Sequence, residues 1–364
     1  MTQTVLASTA STASTTPIRR AKPVDADPRR AVLHALLDDS LALSPEYAEG
    51  MANHLPMALA ALDGLGASEA QMRAFFASYG RRLRRDPTPI AVDPTPSTDW
   101  RALRGRIDAF GALRAFFAAS LGARGRDAVL RDTLPALVDG TAGAAFHGPI
   151  RVAHAVESAH DGELAAALAY WTARWIPLPE PARAGHRFTD ATAWLDALDA
   201  RARETDPAWR PAAPLISERM QQAARTAAWL ELADGLDAGA GDIDALLHDL
   251  ARAAAARYAA TGNFTVLHMA TASRAAWVLA PWLPSNVAAW APLLHAVAAA
   301  SLASRAVPAR RDVAATPLSW PDVRRLACAS DDDHVIKLVH AMAMQDERAP
   351  DAVWLSAARM AVKA

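Results

Sequence analysis

At 364 residues the chain has ample material for one large domain or two, and 52% hydrophobic with 21% charged residues is the balance of a soluble globular protein. A net charge of −1 without a long basic run argues against nucleic acid or a charged membrane surface as the main partner. The lone Cys328 excludes an intrachain disulfide and a cysteine-based zinc site, and fits a reducing cytoplasm.

Residues 1–29 are rich in Ser, Thr and Ala and read as a disordered tail. They lack the charged start and sustained apolar stretch of a secretory signal. From 30 to 364 nearly everything reads as helix, with Ala and Leu at three- and four-residue spacing and breaks at Pro and Gly. The spacing predicts helices over 30–41, 45–63, 68–85, 99–121, 124–139, 146–159, 162–175 and 188–203. Further helices are expected over 214–236, 242–260, 264–280, 285–304, 319–328, 332–346 and 350–362. Alternating β-branched runs are missing, so sheet content is expected to be close to nil. Pro-rich joints at 86–96, 177–181 and 207–214 read as loops, none long enough to tether independent domains. No run of about twenty apolar residues lacks charge or Pro, so no membrane span is expected. The expectation is a single all-α domain, a large irregular helical bundle.

Only three lysines occur, Lys22, Lys337 and Lys363, against 35 arginines. Lys337 is the one inside an apolar helix. Unlike Arg, a buried Lys can lose its proton and become a nucleophile or base. His334 lies one turn before it and His340 nearly one turn after, so the three line one broad side of a helix, whose start the run Asp331-Asp332-Asp333 caps. The bland alternative is a lysine reaching solvent among hydrated histidines.

A histidine at or near a helix start, followed by small and apolar residues, recurs in four segments, at His54, His147, His268 and His334. A single histidine on an apolar face is ordinarily a hydrogen-bonded core residue, but four on four helices beside an unusual Lys suggest a shared metal site. Carboxylates are scarce around them, with Glu157 the nearest on the second segment. A buried neutral Lys could supply the missing anion by adding carbon dioxide to form a carbamate. Nucleotide, flavin, zinc-hydrolase and nucleophile-elbow motifs are absent. Phe75, Phe76, Phe116, Phe117, Trp171, Trp175 and Trp229 could line a pocket for a flat apolar substrate or simply be core.

In this order, Asn53-His54-Leu55-Pro56, Phe146-His147-Gly148-Pro149-Ile150-Arg151 with Glu157, Phe264-Thr265-Val266-Leu267-His268 and Asp333-His334-Val335-Ile336-Lys337-Leu338 resemble the questin oxidase-like family. That family is known from fungal aromatic polyketide pathways and from many bacterial genomes, and the resemblance runs from about Leu33 to Met344. It implies an all-α oxygenase of secondary metabolism that opens a ring of an anthraquinone-type substrate with dioxygen. It also implies a central, mononuclear non-haem Fe(II) held by histidines and a carboxylated lysine, here His54, His147, His268, His334 and Lys337. Some relatives carry a further histidine where this chain has Arg151, so His154, one turn on, stands as the alternative to His147. His154, Arg151 and His340 are the candidates to take a substrate proton or bind an oxyanion. Family members have also been described as NADPH-linked Baeyer–Villiger enzymes, although no dinucleotide-binding segment is visible in this sequence. A metal-dependent hydrolase using the same pocket, or a non-catalytic helical scaffold, are the rival readings.

Overall fold

The computed structural model describes residues 28–85, 99–182, 188–237, 242–305 and 317–363. The tail expected over 1–29 lies outside the described residues except for Pro28 and Arg29, and so does the Pro-rich joint at 86–96. Sixteen α-helices run through the described residues. They are α1 (Pro28–Ser40), α2 (Leu55–Leu65), α3 (Glu69–Gly80), α4 (Phe110–Arg124), α5 (Arg126–Leu137), α6 (His147–Ser158), α7 (Asp161–Ala173) and α8 (Ala191–Thr205). The second half holds α9 (Ile216–Ala223), α10 (Ala227–Leu232), α11 (Ile243–Thr261), α12 (Phe264–Leu279), α13 (Ala291–Ser304), α14 (Trp320–Cys328), α15 (Asp333–Arg348) and α16 (Ala352–Ala361). Many begin where a short polar side chain can take up a free N–H of the first turn. Asp190, Thr226, Asp242, Asn263, Asp332 and Asp351 all accept such a bond. None of the described helices is long and apolar enough to cross a membrane.

The fold is all-α, as the spacing predicts. At its centre α2, α6, α12 and α15 pack on one another, so four helices share one core. Small residues permit the close approach: a Cβ on Gly148 of α6 would come within 2.5 Å of the Trp171 ring on α7. Outside this core, α1 and α3 cover α2, while α7 and α4 back α6. Helices α11 and α16 flank α12 and α15, and α13 joins the group of α8, α9 and α10 to α12. Trp194, Trp229, Trp290 and Trp354 are fully buried, and each indole N–H donates to a backbone carbonyl at 2.8–3.1 Å. These four rings are thus inside without leaving their indole donors unsatisfied.

The structure departs from the expected helices at four places. Over 45–63 the first residues form a small antiparallel hairpin, Glu46–Tyr47 against Met51–Ala52, turning through Ala48 and Gly50 at positive φ. Long-range pairing overrides helix spacing there, because Arg174 and the Tyr170 hydroxyl hold the Glu46 carboxylate. Over 99–121 two 3-10 turns precede α4; Gly105 breaks the run at φ 74°, with its N–H bonded to Thr172 O. The stretch 214–236 splits into α9 and α10 because the Thr226 side chain caps a new start. Over 285–304 a 3-10 turn, Val287–Trp290, comes first, and α13 follows it.

Candidate metal centre

The four recurring histidines meet at one end of the central core. His54 is the N-cap of α2, His147 opens α6, His334 is the second residue of α15, and His268 stands one turn into α12. Their rings form a closed cycle. Centroids are 4.4 Å apart for His54–His147, 5.1 Å for His147–His268, 5.4 Å for His268–His334 and 4.8 Å for His334–His54. The positive ends of four helices therefore point at one place, which favours negative charge there.

Local structure fixes which nitrogen of each ring faces inward. A carbonyl oxygen can only accept, so His147 Nδ1–H donates to Ala144 O and His268 Nδ1–H to Phe264 O at 2.8 Å. His54 Nδ1–H donates to the Asp333 carboxylate, and His334 Nδ1 lies 3.2 Å from the same Oδ2. The Nε2 lone pairs are left over. Those of His54, His147 and His334 are buried with no hydrogen-bond partner. One ligand atom from each of these three residues lies within 4.8 Å of the others. Ring nitrogens presented in this way, each backed by an acceptor on the far side, are what a bound metal ion requires. His268, in ring contact with two of them, completes the set.

His147 owes its place to an unusual turn. Ala144, Ala145 and Phe146 all take left-handed backbone conformations, at φ 45°, 54° and 68°. Each such residue carries a cost of roughly 1–2 kcal/mol when it is not glycine. Before them, Gly143 is wedged against the end of α7: a Cβ there would lie 1.9 Å from Arg174 O. The turn aims His147 at His54 and His268, while Ala144 and Ala145 become part of a cavity wall.

Lys337 is buried, 3% exposed, and its Nζ lies 3.3 Å from Asp333 Oδ2. Burial lowers the pKa of its amine, and Asp333 opposes that shift. Burial pushes the Asp333 carboxyl up, but His54, Lys337 and His334 outweigh it and hold it well below the usual carboxylate range. Desolvation, reinforced by Lys337, depresses His54 to about 3. His147 and His268 are likewise pushed well below 6.5 by burial, so the imidazoles are neutral and able to ligate. Asp333 is the residue that reading the sequence missed. The Asp triplet reads as a helix cap, which Asp332 indeed is, whereas Asp333 turns inward and is itself a buried carboxylate among the histidines. Its spacing of four from Lys337 is the signal that could have found it.

The cycle forms the floor of a cavity with about 530 Å³ of space, part of it open to solvent. Met51, Pro214, Leu215, Ile216 and Phe264 give it an apolar rim. Of the three exposed large apolar side chains among the described residues, Met51 and Phe264 are two, at 38% and 47%.

The other candidates lie elsewhere. His154 and His340 make a second polar layer, two turns along α6 and one turn beyond Lys337 on α15, with ring centroids 5.6 Å apart. With Glu157 they form another group that could hold a metal ion. Here Glu157 is ion-paired to the buried Arg274 of α12. Arg151 is taken up by Glu163, through bonds of 2.6 and 2.9 Å. None of these residues lines the cavity. The seven aromatic residues considered for a pocket wall are core: Phe75, Phe117, Trp171 and Trp229 are buried, and Phe76, Phe116 and Trp175 pack against the core.

The profile of the questin oxidase-like family matches residues 51–342, a span that includes every residue of the histidine cycle, Asp333 and Lys337. The chain belongs to the questin oxidase-like family. For a questin oxidase-like protein, membership supports an oxidoreductase role, as an oxidase or oxygenase of an anthraquinone-like small molecule. No curated protein matches the chain.

Proposed function

We propose that this questin oxidase-like chain is a non-haem iron oxygenase that cleaves a ring of an anthraquinone-like substrate with dioxygen. The ligands would be His54, His147, His268 and His334 together with Lys337 as its carbamate. One observation carries the reading: unpartnered Nε2 atoms gathered beside a buried Lys, on the floor of an apolar-rimmed cavity. Iron supplies the binding and redox activation of dioxygen.

The chain's own residues do the rest. Hydrogen bonds at Nδ1 lock the tautomer and orientation of His54, His147 and His268, so the ligand atoms need no reorganisation. Burial favours the uncharged Lys337 amine. Its nitrogen then bonds to the carbon of carbon dioxide and releases one proton to solvent, while the Asp333 carboxylate, 3.3 Å away, stays ionised. The carbamate adds the negative charge that neutral imidazoles cannot give a divalent ion. Phe264, Met51 and the Pro214–Ile216 stretch cover the face of a flat ring and exclude water from it. The single, partly buried Cys328 accords with residence in the cytoplasm.

The test is metal analysis of protein purified without chelators or a metal-binding tag, beside Lys337→Ala. About one iron per chain in the wild type, absent in the variant, is the expected result. Oxygen uptake with a hydroxyanthraquinone, with and without NADPH, then separates self-sufficient cleavage from NADPH-linked oxidation of the Baeyer–Villiger type. Wild-type protein that binds no metal and consumes no oxygen would sink the proposal. Bound metal with ester cleavage and no oxygen uptake would favour a hydrolase.

A further inference from the structure

One wall of the cavity is contributed by α9, and it carries a guanidinium that has no ion-pair partner among the described residues. Arg219 lines the cavity together with Ser217. Its Nε is buried and has no hydrogen-bond acceptor. Several other buried or half-buried arginines are ion-paired: Arg30 with Asp63, Arg151 with Glu163, Arg174 with Glu46, Arg257 with Asp199 and Arg274 with Glu157, while Arg104 donates to the Ala136 carbonyl. Among the described residues no carboxylate comes within 4.0 Å of the Arg219 guanidinium. Its neighbour Glu218 folds back to the Leu215 N–H at 3.4 Å instead. Among the described residues no acidic side chain lines the cavity. A guanidinium held beside an otherwise apolar wall, with one donor already cut off from water, lacks a planar anionic acceptor.

We propose that Arg219, assisted by the Ser217 hydroxyl, binds an anionic oxygen of the cavity's ligand, a ring-bound carboxylate or phenolate. The inference rests on the cavity being the site of an aromatic substrate, and adds that this substrate is acidic. With the anion at Arg219 and the apolar rim against the ring faces, the opposite edge of the ring system is directed toward the histidine floor. Arg219 is thus a determinant of substrate class and of orientation; the ligand cycle does not involve it.

Binding needs neither metal nor turnover, so it can be read alone. Anthraquinone-2-carboxylate, 2-hydroxyanthraquinone and 2-methylanthraquinone are titrated against the full chain at pH 8, with quenching of tryptophan fluorescence as the signal. Wild-type protein is expected to bind the carboxylate or the phenol at least tenfold more tightly than the methyl compound. Arg219→Met, which keeps an apolar stem, should abolish that preference and leave the methyl compound's affinity unchanged. Arg219→Lys should retain part of it. Which of the two acidic probes depends on Arg219 identifies the anion. An acid preference that survives in Arg219→Met, or no preference in the wild type, overturns the role of Arg219 alone. Failure of all three probes to bind the wild type overturns the aromatic site and this inference together.

Discussion

One oxygen of Asp333 serves three neighbours: it accepts from His54 Nδ1–H, approaches His334 Nδ1 and pairs with Lys337. Replacing it by Asn removes the charge while keeping the shape. Metal affinity of Asp333→Asn is expected to fall about 10- to 100-fold, because the oriented, electron-rich imidazole behind each ligand atom is lost. A competition titration with a chelating dye measures this, and an unchanged affinity would show that Asp333 only caps its helix. At this scale the sequence was informative about residue types that are rare or recur. A lone interior Lys among arginines, and histidines repeated at four helix starts, stand out without any structure. Asp333 did not, because an Asp before a helix already has a sufficient local explanation. Arg219 is one of 35 arginines, and nothing local in the sequence sets it apart from the others.

Among the elements, helices with a capping residue ahead of a run of helix formers were legible, as with α12 after Asn263 and α15 after Asp332. What escaped was set by distant contacts. The hairpin at 46–52 exists because Glu46 meets Arg174 and Tyr170, more than 120 residues away. The left-handed run Ala144–Phe146 has no local cue, since Ala and Phe read as helix formers. That run invites a paired test. Gly143→Ala should destabilise the protein by about 1–3 kcal/mol, since the added methyl meets the Arg174 carbonyl with no room to yield. Ala145→Gly, at φ 54°, should leave stability unchanged or raise it by up to about 1 kcal/mol. Urea midpoints check both, and equal losses in the two variants would contradict the strained turn.

For the whole molecule, the number of buried neutral imidazoles makes stability depend on pH. His54, His147, His154, His268 and His340 all have folded pKa values depressed by burial. Below pH 6.5 the unfolded chain takes up protons at these positions and the folded chain does not, so acid favours unfolding. Each such group contributes a slope of up to about 1.4 kcal/mol per pH unit, starting near 6.5 and, for His54, ending near its value of about 3. Metal-free protein should therefore show a urea midpoint that falls steeply from pH 7 to 5.5. A flat profile over that window would mean that the fold tolerates charged imidazoles.

The second polar layer bears on how the helices stay in step. Glu157 of α6 is tied to Arg274 of α12, and His340 of α15 sits in a notch on α2 where a methyl at Gly64 would lie 2.3 Å from its Nε2. Sliding α6 past α12 by one turn would strand a charge in the interior, at about 3–5 kcal/mol. Sliding α15 past α2 would drive an imidazole into a wall of alanine. The register of all four central helices is thereby keyed two turns below the histidine cycle, by groups that are not part of it. If the centre binds an ion as proposed, empty and loaded forms would share a single scaffold, and the helices would not have to find one another again when the ion left.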